Sequence, residues 1–332
     1  MRNRAGSLLI VSLWLVTILS VLAVAIARHL SLEVRMTKYR LAREHAKELA
    51  RSGVFLAMQR LAKDIQTPET GGKNYDWLGD EWAVFPQEDH NTDPSVWVVP
   101  FPAPGHPVDR FSGSMRIRII DEGRKLHLNQ AITAQLARLV KDEVLAQTMM
   151  DARDEPDPSE DRSADAVPYF AKNGPIIALE ELNDLPGMTQ ETYAVLAANA
   201  TPYHAAEPVN INTATSETLK ALGLSDATVQ LILHYRDGPD GPIEHEQDGF
   251  FTEAGQNIIN ILKDHEGVDL TGTPDGNLLL TGALGVTSDM FTINSEAIIQ
   301  DPVIRVRLEV VVRRAGCGDG VPSPCIMAWR ER

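Results

Sequence analysis

At 332 residues with 43% hydrophobic content, the chain carries enough apolar material for two folded domains beyond any anchor. Its net charge of −15 argues against a polyanionic partner. That charge is uneven: residues 131–290 hold 8 Lys or Arg against 27 Asp or Glu, whereas the first 67 residues are net basic, so the acidic block reads as a separate unit.

The chain opens on Arg2-Asn3-Arg4-Ala5-Gly6 and runs into 21 uncharged residues, Ser7 to Ala27. A helix of that length covers about 31 Å, which matches the roughly 30 Å hydrocarbon core of a bilayer. A soluble core helix is the rival reading, but such helices are seldom apolar on every face for so long. Two cuts are then conceivable. A secretory signal peptide would end at Ala25-Ile26-Ala27, yet its apolar region spans only about 7 to 15 residues. In the other, the cut falls between Gly6 and Ser7 and the helix is kept.

The second reading resembles the leaders of type IV pilins and pseudopilins: a short basic segment, Gly, then an apolar helix continuing into an amphipathic stem. Pilin-like chains usually carry Glu at the fifth mature position, which here is Val11. Within that superfamily the K minor pseudopilins of type II secretion systems (general secretion pathway protein K family) typically lack it.

Charges flank the span on both sides, so the positive-inside rule leaves its orientation open. The only cysteines, Cys317 and Cys325, bracket the loop-like Gly318–Pro324. A disulfide there would tie down a C-terminal hairpin in an oxidising compartment and place the body in the periplasm; the alternative is two unrelated thiols.

From Leu30 to Ile65 there is no proline, and Ala46, Ala50, Gly53, Ala57 and Leu61 recur at helical spacing. This stripe suits a neighbouring helix in an assembly or close packing on the chain's own domain. Thr67–Gly72 ends the helix by turn chemistry. Residues 73–107 read as loop-rich, with a short strand at Val96–Val99. Ser114–Ile120 alternates as a half-buried strand, Asp121–Arg124 turns, and Lys125–Asn129 alternates again, so a hairpin is expected. This stretch is similar to the strand, D-x-x-G-R turn and L-N strand that precede the inserted domain of the K pseudopilins.

Gln130 to about Thr287 reads as helical, beginning with a helix over Ile132–Met150. An acidic loop from Asp151 follows without the EF-hand register. The family resemblance implies a calcium site there, with Asp151, Asp154 and Glu155 kept and Thr148 and Arg153 standing at two acidic places. Two motifs, Leu179–Thr189 and Ser216–Ser225, resemble helix-hairpin-helix units, the second preceded by Asn210-Ile211-Asn212-Thr213-Ala214 as in DNA-uptake receptors. Phosphate binding needs clustered cations and exposed turn amides. Only Lys220 and Arg236 are basic near the second turn, so a protein-interaction domain is favoured over nucleic-acid binding.

Strands return from Thr281 to Ile293 and from Val303 to Arg313, the latter expected to pair with the 114–120 strand, and a last strand spans Cys325–Trp329. No nucleophile elbow, zinc-protease motif, phosphate loop or cysteine cluster occurs, and His127 reads as a surface or packed histidine.

The expected fold class is therefore α+β: a pilin-like N-terminal transmembrane and stem helix packed on an antiparallel sheet, with a large all-α domain of helix-hairpin-helix or SAM-like type inserted between strands. The expected divisions are a leader at 1–6, a transmembrane helix at 7–28, a stem at 29–66, a first pilin-like part at 67–130, the inserted domain at 131–285 and closing strands at 286–332. The resemblance implies a non-enzymatic minor pseudopilin at the tip of the secretion pseudopilus, in the inner membrane with its body in the periplasm. It further implies cleavage and N-methylation by a prepilin peptidase at Gly6 and Ser7. The implied partners are the minor pseudopilins I, J and H and the major pseudopilin. An anchored periplasmic DNA-uptake protein and an anchored periplasmic enzyme are the competing functions.

Overall fold

The computed structural model describes residues 4–65, 75–85, 93–102, 111–153, 174–203, 208–238, 249–315 and 324–331. Helix α1 runs unbroken from Arg4 to Ile65, about 93 Å at 1.5 Å per residue. Its side chains from Ile10 to Leu41 are all exposed, and this part is long and apolar enough to cross a membrane. From Ala42 onward the character changes. Ala42, Ala46, Ala50, Val54, Ala57 and Leu61 are each 0% exposed, because this face lies on a sheet.

After α1 come β1 (Trp97–Phe101) and β2 (Gly113–Asp121). An insertion then carries β3 (Leu126–His127), α2 (Thr133–Val140), α3 (Glu143–Arg153), a 3-10 helix (Leu179–Asp184), α4 (Gln190–Asn199), β4 (Ala200–Thr201) and β5 (Val209–Asn210). It continues through α5 (Ser216–Leu222), α6 (Asp226–Asp237), α7 (Gln256–Glu266), α8 (Pro274–Leu279) and β6 (Leu284–Gly285). The chain closes with β7 (Met290–Gln300), β8 (Val303–Arg313) and β9 (Cys325–Glu331). The main sheet is antiparallel in the order β1-β2-β7-β8-β9, so the insertion interrupts it between two neighbouring strands. The architecture is the α+β, pilin-like one expected from the sequence.

Two cores result. One joins the second half of α1 to the inward residues of the sheet, such as Ile117 on β2, Phe291 and Ile293 on β7, and Val310 on β8. The other lies within the insertion, around Leu136, Leu196, Ile211, Leu219, Phe251 and Ile258. The small residues of α1 permit a close helix–sheet approach: a Cβ on Gly53 would lie 2.3 Å from Ser295 Oγ and 3.2 Å from Ile117 Cγ1.

Three sequence expectations fail here. β2 and the 125–129 segment form no hairpin. After Asp121 the chain leaves the sheet, because Leu126 and Leu128 belong to the insertion core, and β3 pairs in parallel with β4. β8 pairs with β7 and β9, whereas β2 pairs with β7. Full β7 was obscured by its polar run Asn294-Ser295-Glu296, where the small Ser295 sits under Gly53. The helix over Ile132–Met150 is broken in two: Lys141 takes a left-handed φ of 56°, and Asp142 Oδ1 then accepts from the amides of Val144 and Leu145 at 2.9 and 3.0 Å to start α3.

Candidate functional site

Three places bear on function: the apolar half of α1, the hairpin α5–α6, and the junction where the insertion meets the sheet. Gly6 and Ser7 lie within α1, and Val11 is exposed on it. Apolar exposure on every side of a helix requires an apolar surrounding, since each buried methylene is worth about 0.8 kcal/mol.

The second helix-hairpin-helix motif folds as such. Gly223, at φ 114°, turns the chain between α5 and α6, and Ser225 caps α6 by accepting from the Thr228 amide at 3.3 Å. The first motif departs from the pattern, its leading helix being the short 3-10 turn before α4. In the second, the features that phosphate binding would need are already committed. Asp275 takes the α6 N-terminus, accepting from the Ser225 amide at 3.3 Å, from Thr228 Oγ1 at 2.5 Å and from Ser225 Oγ. Partial burial pushes the Asp275 carboxyl up, but the hydrogen bonds from Ser225 and Thr228 outweigh it and hold the group below its ordinary value. Lys220 pairs with Asp226 at 2.8 Å. Arg236 is buried, donating to the carbonyls of Ile211 and Ala214 at 3.0 and 2.7 Å and pairing with Asp237. The hairpin therefore offers a duplex neither free turn amides nor a free cation pair.

The Asn210–Ala214 segment likewise faces inward. Asn212 holds Phe251 at both ends, donating to its carbonyl at 2.9 Å and accepting from its amide at 2.8 Å. Asn210 donates to Ser288 Oγ at 3.0 Å and to the Asp76 carbonyl at 3.2 Å, and Thr213 donates to Asp121 Oδ2 at 2.5 Å. These bonds form the junction. Asp121, the last residue of β2, also accepts from Ser288 Oγ at 2.8 Å and from the Gly123 amide at 2.7 Å. Asp76 accepts from the Ser288 amide at 2.7 Å and pairs with Arg314, which donates to Asp64 at the end of α1 at 2.8 Å. Stem, sheet and insertion thus share one buried polar network. Burial is the largest influence on Asp121: it pushes the carboxyl up to about 6, reinforced by Asp76 and opposed by hydrogen bonds from Thr213, Ser288 and Gly123.

Of the junction groups, Asp121 stands in a sequence motif as the first residue of the D-x-x-G-R turn, whereas Asp64, Asp76 and Arg314 carry no spacing signal. Asp64, Asp76 and Asp80 bring carboxylate oxygens within 4.8 Å of one another, but Arg314 supplies the positive charge there. Of the calcium candidates, Asp151 accepts from Gln147 within α3 at 2.8 Å, and Asp154 and Glu155 lie outside the described residues. Cys325 opens β9 and is disulfide-bonded; Cys317 lies outside the described residues. His127 is half-buried in β3. His234 pairs with Glu266 at 2.9 Å on the surface and His45 tilts against Phe111, arrangements that hold surfaces together.

No protein-family model and no curated protein sequence matches the chain. Among solved structures it is similar to a chain of the crystal structure of the GspK-GspI-GspJ complex from the enterotoxigenic Escherichia coli type 2 secretion system. The likeness has a TM-score of 0.62 at 18% identity and covers 89% of this chain and 99% of that chain. What the two share at that identity is the fold.

Proposed function

We propose that the chain is a K-type minor pseudopilin of a type II secretion system. In this reading residues 7–28 anchor it in the inner membrane with the body in the periplasm. It sits at the tip of the pseudopilus with the minor pseudopilins I and J, and H below, above a shaft of the major pseudopilin. There it initiates or caps the fibre and supports export of folded proteins across the outer membrane. Its role is structural and not enzymatic.

The observation that carries this reading is α1, one continuous helix bare and apolar in its first half and buried against a pilin-like sheet in its second. A bare half of that length is covered by lipid before assembly and by the helices of neighbouring subunits afterwards. The fold likeness to a chain of a K-I-J complex supports the same partners. A prepilin peptidase cuts between Gly6 and Ser7 and methylates the new amine. Val11 then stands where other subunits present Glu to the terminal amine of the subunit above, a carboxylate that a topmost subunit does not use. The insertion leaves no room for a subunit above it. A Cys317–Cys325 disulfide closes the loop between β8 and β9 in the oxidising periplasm.

Mass spectrometry of the mature N-terminus tests the reading. N-methylated Ser7 is expected; a start at Arg28 would identify a signal peptide, and an intact Met1 a plain anchor. Co-purification with I and J from cells is the second expected result, and its absence from a correctly processed protein would remove the tip assignment.

A further inference from the structure

The D-x-x-G-R turn after β2 places Arg124 in a cleft of about 670 Å³ between the outer face of the sheet and the insertion. Arg118 and Arg236 line the same cleft, and the half-buried Leu78, Ile120 and Leu233 give it apolar walls. Two of the three guanidiniums are committed within the chain. Arg118 pairs with Asp93 at 2.7 Å and with Ser95, and Arg236 with Asp237 and two carbonyls.

Arg124 is different. Its Nε is buried without a hydrogen-bond partner, and among the described residues it forms no ion pair. The adjacent carboxylates are engaged elsewhere: Asp121 accepts from Thr213, Ser288, Asn210 and Gly123, and Glu122 accepts from Lys125 at 2.8 Å and from Thr292 at 2.7 Å. Burial lowers the Arg124 guanidinium from its ordinary value, the fields of Asp121 and Glu122 oppose this, and Arg236 and Arg118 add to the depression, so the three cations feel one another across the cleft. A largely desolvated guanidinium is costly unless a planar acceptor meets its fork.

We propose that this cleft is a carboxylate-binding site that takes a single acidic side chain from a short peptide segment of a protein partner. The Arg124 fork closes on the carboxylate, and Leu78, Ile120 and Leu233 pack against the flanking residues. The cleft volume falls in the range of small-ligand sites and far exceeds what one free carboxylate fills, which favours a peptide segment. The acidic insertion beside it repels a polyanion far more strongly than a single charge, which Arg124 offsets locally. The proposal goes beyond the fibre position given above and stands without it.

Isothermal titration calorimetry on the full chain in detergent, with N-acetyl-Leu-Glu-Leu-amide as probe, tests it. Saturable binding that weakens with salt is expected. Affinity should fall about tenfold or more in Arg124→Gln, and as far on the native chain when the probe carries Gln in place of Glu. Arg124→Lys, which keeps the charge and loses the fork, should recover only part. No saturable binding, equal binding of the Gln probe, or unchanged binding by Arg124→Gln overturns the proposal. Inorganic phosphate or acetate binding as tightly as the peptide would make this a free-oxyanion site and overturn the peptide assignment. Should Arg124→Gln fail to fold by circular dichroism, the Glu and Gln probes on the native chain decide alone.

Discussion

The two halves of α1 share a backbone and little else. From Ile10 to Leu41 every side chain is exposed and most of the first stretch is large and apolar; from Ala42 to Leu61 the buried face is built mainly of alanines and a glycine. Large apolar groups suit a surrounding that adapts to them, such as lipid or other helices. Small groups suit a rigid sheet that must be approached closely, as the 2.3 Å spacing at Gly53 requires. Helical continuity therefore says nothing about which solvent a helix meets; side-chain size and the opposing face decide.

The largest test is one substitution made in both halves. Leu61→Ala should cost the body about 2–5 kcal/mol of unfolding free energy, as a fully buried leucine does, while Leu19→Ala should leave chemical denaturation of the body unchanged. Equal losses would erase the distinction. Next, Val21→Arg should cost about 3 kcal/mol of membrane insertion, read as release of the protein from membranes by alkaline carbonate, with no change in the melting of the body. Smaller again is Gly53→Val, which should cost about 1–3 kcal/mol by overpacking; combining it with Ser295→Ala should recover part of that loss in a double-mutant cycle.

The last test is a slope. Because burial raises Asp121 to about 6, the folded protein keeps a proton between pH 4 and 6 that the unfolded chain has released. This group's contribution to stability therefore falls as pH rises through that window and is constant above it. The stability difference between the native chain and Asp121→Asn should decline from pH 4 to 6, and a flat difference would show that Asp121 titrates normally. Membrane retention should not follow the same slope, since Asp121 lies in the body.

Much of this was legible beforehand, for identifiable reasons. The span Ser7–Ala27 and the strands around Ile117 and Val310 announce themselves by period, since lipid and a one-sided sheet impose strict patterns. The stripe from Ala46 to Leu61 is legible too, and so is its partner, since a one-sided sheet needs a helix to cover its apolar face; residue size alone indicates close approach without saying to what. The partners of β2 are not legible: the adjacent segment 125–129 is the expected hairpin partner and 303–313 the expected partner across the insertion, yet β3 leaves the sheet and β7 lies between β2 and β8. The hairpin α5–α6 was recognised from its leucines and Gly223, while its occupation by Asp275 was invisible, the two being 50 residues apart. Likewise the junction of Asp76, Asp121, Ser288 and Arg314 draws on four distant stretches, and although Asp121 opens the D-x-x-G-R turn, no motif spans them.

The placement of the insertion also sets which strand contacts must close over the longest stretch of chain. Asp121 and Phe291, paired in the finished sheet, are separated by 170 positions along the chain, and closing so long a flexible loop is slow and entropically unfavourable. An insertion that folds first would remove that obstacle. Once β5 has paired with β6, and Asn210 has donated to the Gly123 carbonyl at 2.9 Å, the end of β2 and the start of β7 are held side by side. β1 and β2 precede β7 and β8 along the chain, so in synthesis from the N-terminus the edge of β2 would wait unpaired until β7 follows. A lesion inside the insertion, far from the stem, would lengthen that wait and appear as aggregation rather than as a lower melting temperature.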